Sequence, residues 1–196
     1  MVYGVLRLIN FANSVVFMLG TFAGLWVDIE LPAHPVTAKP LAGFELAYTL
    51  VIALVGSMIA CALLAVLVEL VAYRRLRARG AAPLSSLISA IGVSIFLMET
   101  MRMFTESRPQ TAPRLLDKWS FGEIAGANFR IDTMLAIVSP IVIFVILDQF
   151  VNRSRLGKAI RAVSLSEENA KLMGININRV ISLTFLIGGL TTGAAA

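Results

Sequence analysis

The chain has 196 residues, of which 58% are hydrophobic and only 15% charged, whereas soluble domains carry about a quarter charged residues. One water-surrounded core cannot absorb that much apolar side chain, so lipid is the solvent for much of the surface. Seventeen Lys and Arg against twelve Asp and Glu would suit nucleic acid by net charge alone, but the bases cluster beside apolar runs as topology signals do, and nucleic acid is set aside as a partner.

The first uncharged run is Leu8–Val27. Arg7 ahead of it imitates a signal peptide, but no A-x-A-like site follows and Asn10 and Asn13 interrupt the run, so it reads as a retained span. An asparagine in lipid needs a partner or a cavity. Asn10, Asn13 and the adjacent Ser14 are therefore candidates for lining a solute route, with interhelical hydrogen bonding as the competing role. Gly20 and Gly24 form a G-x-x-x-G pair that lets helix backbones approach closely. The loop Asp28–Gly43 holds one base, Lys39, and the only histidine, His34, near Pro32 and Pro35; a solvated loop histidine fits better than a metal ligand or a base.

The second run, Leu46–Val68, has 23 residues and spans about 34 Å as a helix, enough to cross the hydrocarbon with some tilt. It contains the only cysteine, Cys61, which rules out a disulfide within the chain or a cysteine-rich metal site. The connector "YRRLRARG" that follows packs Arg74, Arg75, Arg77 and Arg79 together. In the third run, Ala81–Met98, Ser86, Ala90 and Ser94 share one small-residue face. Glu69, Glu99 and Asp148 sit near run ends, where a side chain reaches the interface or pairs with a base. That reading is preferred to a proton relay, and Glu99 with Arg102 has the spacing of an ion pair.

The segment Arg102–Arg130 mixes bases with Glu106, Asp117 and Glu123. The fourth run, Thr133–Leu147, is short at 15 residues. It reaches spanning length only by continuing through Asp148 to Val151, and Pro140 predicts a kink or a break. The fifth run is Val180–Ala196, with Gly189 and Gly193 as a second G-x-x-x-G pair. Between these last two, Asn152–Arg179 holds six bases: Arg153, Arg155, Lys158, Arg161, Lys171 and Arg179. The positive-inside rule puts 74–80 and 152–179 in the cytoplasm, and five crossings alternate consistently with it. The expected fold is all-α, a polytopic transmembrane helix bundle of about five spans. The last run stops without a polar flank and the first begins almost at Met1, so the chain reads as part of a larger bundle or a shortened reading frame.

Within 152–179, Ser164 stands three residues before Glu167, the spacing of a capping box. Glu167 and Glu168 complement a positive helix start, and Gly174 suits a left-handed C-cap. Leu165, Asn169, Leu172 and Met173 fall on one face, and a preceding helical piece from Leu156 to Val163 presents Lys158 and Arg161 near the membrane. The result is a short, rigid, amphipathic cytoplasmic helix. An interfacial helix is one reading; two glutamates facing an anionic leaflet favour a docking helix for a soluble partner instead. The chain has no P-loop, G-x-S-x-G or H-E-x-x-H motif, so no enzyme constellation is in view.

Three stretches carry a resemblance: "INFANSVVFMLG", "LISAIGVSIFLMETMRMFTESRPQ" (Leu87–Gln110) and "RSRLGKAIRAVSLSEENAKLMGININRVISLTF". They resemble the permease subunits of branched-chain amino-acid ABC importers, in the same order over most of the chain. Glu168, Ala170 and Gly174 match the E-A-A-x-x-x-G pattern of importer permeases, with Asn169 replacing the middle alanine. The resemblance implies one permease domain over 1–196 in a bacterial inner membrane, with a coupling segment at 152–179. It also implies two ATPase subunits, a second permease subunit and a periplasmic substrate-binding protein as partners, with ATP bound by the ATPases and no cofactor or metal in this chain. Coupling would fall to Leu165, Glu167, Glu168, Ala170, Leu172, Met173 and Gly174. Where the family has His-Gly-Glu, this chain has Asn13, Ser14 and Val15, which leaves urea, short-chain amides and other small polar solutes open beside amino acids. A secondary transporter or channel is the rival class, predicting uptake without ATP and inverted repeats, and no convincing repeat is visible. A non-transporting scaffold is the third.

Overall fold

The computed structural model describes residues 12–30, 44–80, 83–106, 120–124 and 127–196. In chain order these are α1 (Ala12–Glu30), α2 (Phe44–Val68), a π-helical turn (Glu69–Tyr73), α3 (Arg74–Ala78), α4 (Pro83–Phe104), β1 (Ser120–Ile124), β2 (Ala127–Arg130), α5 (Ile131–Arg153), α6 (Arg155–Leu165), α7 (Glu167–Leu172) and α8 (Ile177–Ala195). Four helical stretches are long and apolar enough to cross a membrane: Ala47–Ala78, Ser85–Phe104, Ala136–Arg153 and Ile177–Ala195. Asn13–Trp26 is a shorter apolar helix. The chain is a multi-pass helical membrane protein. Asn10 and His34 lie outside the described residues.

Several helices outrun the uncharged sequence runs, α5 at both ends. α2, the π turn and α3 form one unbroken helical path into the arginine cluster, and α8 starts three residues before Val180. α5 is continuous through Pro140 to Arg153, so no break occurs there, and the continuation past Asp148 supplies the length. A proline in a spanning helix is tolerated when neighbouring groups take up the freed carbonyl. One feature without a signal in the sequence reading is the antiparallel β1–β2 hairpin ahead of α5, pairing Glu123 with Asn128 and Ile124 with Ala127.

Helices α1, α2 and α8 form the central contact, built on small residues. A β-carbon on Gly189 would meet the Cys61 carbonyl oxygen at 2.6 Å and Ala62 Cα at 2.7 Å; one on Gly193 would meet the Ser57 carbonyl oxygen at 2.5 Å. Gly20 faces Cys61 and Ala196, and Gly24 faces Ser57 and Ala53. Both G-x-x-x-G pairs therefore work at one three-helix junction. Lipid gives packed helices no hydrophobic drive, so close van der Waals contact and interhelical hydrogen bonds hold them. Here the Ser57 hydroxyl donates to the Gly193 carbonyl at 2.8 Å and the Cys61 thiol to the Val16 carbonyl at 3.3 Å. Small and polar groups line the inside (Thr49, Ser57, Ser86, Thr184, Thr192), while Ile59, Leu63, Leu67, Ile95 and Phe96 face outward. α5 buries none of its described side chains.

A second, more apolar cluster closes the arginine-rich end. Val68, Ala72 and Tyr73 meet Ile160 and Val163 of α6, Ala170 of α7, and Ile177, Val180, Ile181 and Phe185 of α8. Tyr73 and Phe185 pack as a tilted pair with ring centroids 5.4 Å apart, a spacing typical of favourable aromatic pairs.

Candidate functional site

The site is the α6–α7 unit, and its local chemistry explains its shape. α5 hands over to α6 through Ser154, whose hydroxyl oxygen accepts the Gly157 amide at 2.9 Å and caps the helix. A β-carbon on Gly157 would collide with the Val151 carbonyl, so only glycine admits so tight an elbow. Ile160 and Val163 then point into the core, while Arg155, Lys158 and Arg161 stay exposed. Arg161 donates to the Asn152 side-chain carbonyl at 2.8 Å, and the Asn152 amide donates to Asp148 at 2.9 Å. Asp148 is thus tied to local partners at the helix end.

α6 ends at Leu165, where Ser166 adopts extended backbone (φ −157°) and restarts the chain as α7. The capping serine is Ser166, which accepts the Asn169 amide at 3.3 Å. This corrects the assignment to Ser164, whose hydroxyl instead donates to the Arg161 carbonyl at 2.7 Å inside α6. The reason is that α6 buries Ile160 and Val163. Their packing carries the helix through Ser164 to Leu165, so the next helix is capped two residues later than a cap at Ser164 would place it. Glu167 and Glu168 still occupy the first turn of α7 and Lys171 the last, each charge matched to the helix end it favours.

Gly174 has φ +77°. The Ile175 amide donates to the Ala170 carbonyl and the Gly174 amide to the Lys171 carbonyl, both at 3.0 Å, the bond pair of a Schellman C-cap. Asn176 caps α8 by accepting the Arg179 amide at 3.2 Å. Both ends of the linker from α7 to α8 are therefore fixed by hydrogen bonds.

Exposure divides the expected residues sharply. Ala170 is 3% exposed and anchors α7, while Leu165, Leu172 and Met173 are 81%, 84% and 82% exposed. Glu167, Glu168 and Asn169 are exposed beside them. Leu165 belongs to the end of α6, so the apolar face is shared between two helices. Such a surface can do no covalent chemistry; it can make contact. Burying a side chain of that size contributes about 1.5–3 kcal/mol, against at most about 1 kcal/mol for an exposed ion pair. The exposed trio is thus the larger source of contact energy this surface offers, and the glutamates beside it the smaller.

The other proposed group lies elsewhere. Asn13, on α1, accepts a hydrogen bond from the Thr192 hydroxyl of α8 at 3.1 Å, and Ser14 follows it on an exposed part of the helix. The interhelical role foreseen for Asn13 is thus present. Among the described residues no His, Cys, Asp and Glu group of three or more is placed to hold a metal. Glu69, expected to reach the interface or pair with a base, does pair with Arg77, but at 0% exposure it forms a buried polar node that also accepts from the Ser182 hydroxyl at 2.8 Å. The signal for it was an acid eight residues ahead of a base within the arginine cluster.

Comparison with known proteins agrees over the whole chain. The family described as branched-chain amino acid transport system / permease component matches residues 1–196. A high-affinity branched-chain amino acid transport system permease protein of Pseudomonas aeruginosa, BraD, is 35% identical over all of this chain. The corresponding LivH proteins of Salmonella typhimurium and Escherichia coli are 34% identical over the same extent. The chain spans 62% of the length of the first relative and 61% of the other two. No solved structure matches it at a significant level.

Proposed function

The chain belongs to the family of branched-chain amino acid transport system permease components, and from that premise we propose that it forms part of the translocation path of an ATP-driven importer in a bacterial inner membrane. Its solute is a branched-chain or other small amino acid; the names of its relatives state branched-chain amino acids for them. Residues 1–196 act as one permease domain beside a second permease subunit, and a periplasmic binding protein delivers the solute. The segment 152–179 faces the cytoplasm and carries the coupling surface for an ATPase subunit, which binds the ATP.

The observation that supports this most is the contrast around α7. Ala170 is buried and holds the helix to the bundle, while Leu165, Leu172 and Met173 are more than 80% exposed. On an ATPase cleft these three supply apolar contact, Glu167 and Glu168 a charged rim, and Gly174 the sharp exit toward α8. Movement of the ATPases on ATP binding then reaches α8 through the capped linker. Asn13 and Ser14, and Asn10 ahead of them, line the solute route in this reading.

Replacing Leu172 and Met173 together by Asp in the full-length permease tests it. ATPase subunits should no longer co-purify, and solute-stimulated ATP hydrolysis should be lost. Retained binding with unchanged hydrolysis would mean that the apolar trio rests in the lipid headgroups.

A further inference from the structure

Glu69 stands at the start of the π-helical turn Glu69–Tyr73 and is completely buried. Its two carboxylate oxygens are divided between two helices: Oε1 receives the Arg77 guanidinium from α3, and Oε2 receives the Ser182 hydroxyl from α8 at 2.8 Å. Arg77 is itself mostly buried, and its Nε and Nη1 have no partner among the described residues. The Glu69 contact is thus what balances that charge, and a buried pair of this kind is costly to break from one side.

The π turn explains how the pair forms. Eight residues along an α-helix turn about 80° beyond two full turns, which would leave Glu69 and Arg77 on different faces. The wider i→i+5 winding takes up part of that excess and brings them into line, as such bulges often do at working sites. Next to the pair, Tyr73 of the turn packs against Phe185 of α8.

Ser182 also sits close to the docking unit. α7 ends at Leu172 and α8 begins at Ile177, and the linker between them is capped at both ends. Ile177, Val180 and Ile181 share their cluster with Ile160, Val163 and Ala170. A push on α7 therefore arrives at the first turns of α8, and Ser182 is where those turns are bonded to a buried charge in the π turn that continues α2.

We propose that Glu69, held by Arg77, is the positioning residue through which displacement of the α6–α7 unit at α8 is passed to α2, with the Ser182 hydroxyl as the link. This rests on the docking function proposed above. Ser182 and Glu69 touch neither solute nor ATPase; they set whether the spans move when the docking unit moves.

The test uses the assembled transporter with full-length permease in proteoliposomes, measuring solute taken up per ATP hydrolysed. Ser182→Ala and Glu69→Gln should each lower that ratio about fivefold or more, the range of allosteric couplings. ATPase co-purification and basal hydrolysis should stay unchanged. Ser182→Thr, which keeps the hydroxyl, should retain the wild-type ratio, and the Glu69→Gln/Ser182→Ala pair should be no worse than either alone. Should Glu69→Gln fail to assemble, Ser182→Ala, the milder change, decides. A wild-type ratio in Ser182→Ala overturns the proposal, as does a loss of uptake that only tracks loss of bound ATPase. If the Leu172/Met173 double Asp variant keeps its ATPase, the docking reading falls. If that variant loses its ATPase but Ser182→Ala stays coupled, only the Glu69 link falls.

Discussion

Gly189 of α8 lies against the backbone of Cys61 in α2, so closely that a β-carbon there would sit 2.6 Å from the Cys61 carbonyl oxygen. Backbone atoms on both sides leave nothing flexible to give way. Gly189→Ala should destabilise the bundle by about 1–3 kcal/mol, the usual penalty for overpacking. Gly24 is the internal control: its nearest neighbour, Ser57 Cβ, would be at an ordinary 3.8 Å, and Gly24→Ala should leave stability unchanged. Thermal unfolding of the two variants in detergent separates them, and equal midpoints would refute the packing assignment.

The two serines of the docking unit give a second pair of outcomes. Ser166→Ala removes the cap of α7 and should cost about 1 kcal/mol of local stability. Ser164→Ala removes only a hydroxyl bonded within α6 and should be close to neutral. Amide hydrogen exchange across Glu167–Leu172 reads the difference; faster exchange in the Ser164 variant alone would restore the earlier cap.

Topology is open to direct labelling because Cys61 is 1% exposed and the chain has no other cysteine. The wild type should stay unlabelled by an impermeant maleimide in intact membranes. Glu168→Cys should react only from the cytoplasmic side, and Met103→Cys, at the far end of α4, only from the opposite side. Labelling of both from one side would contradict the alternation of spans.

Asn13 separates packing from transport. Its hydrogen bond to Thr192 joins α1 to α8, and such bonds between membrane helices average about 0.6 kcal/mol. Thr192→Val should show that small loss of stability and no change in solute affinity. Asn13→Ala should show the same loss with a raised KM for solute; the same loss with an unchanged KM would take Asn13 off the solute route.

Much of this arrangement is local enough to read from sequence. Uncharged runs mark the spans because lipid tolerates few ionised groups, and the two G-x-x-x-G pairs mark the junction because Gly20, Gly189 and Gly193 allow a close approach. The left-handed cap at Gly174 was equally plain. What escaped was decided over distance. Glu69 reads as a terminal charge able to reach the interface or pair with a base; it does pair with a base, but it is fully buried and accepts from Ser182, 113 positions away. The π turn leaves no pattern in apolar periodicity. Ser164 and Ser166 both offer a cap, and the choice was settled by how far the packing of Ile160 and Val163 carries α6. The β1–β2 hairpin lies in the stretch Arg102–Arg130, whose mixed charges bear on topology and carry no strand signal.

The glycine junction of α1, α2 and α8 also sets how the bundle should answer to temperature. Contacts between apolar residues in water weaken on cooling because their drive comes from solvent. This junction excludes lipid, and parting its helices exposes little surface to water, so the heat-capacity change on separation should be small. A chilled membrane should hold these three helices together as firmly as a warm one.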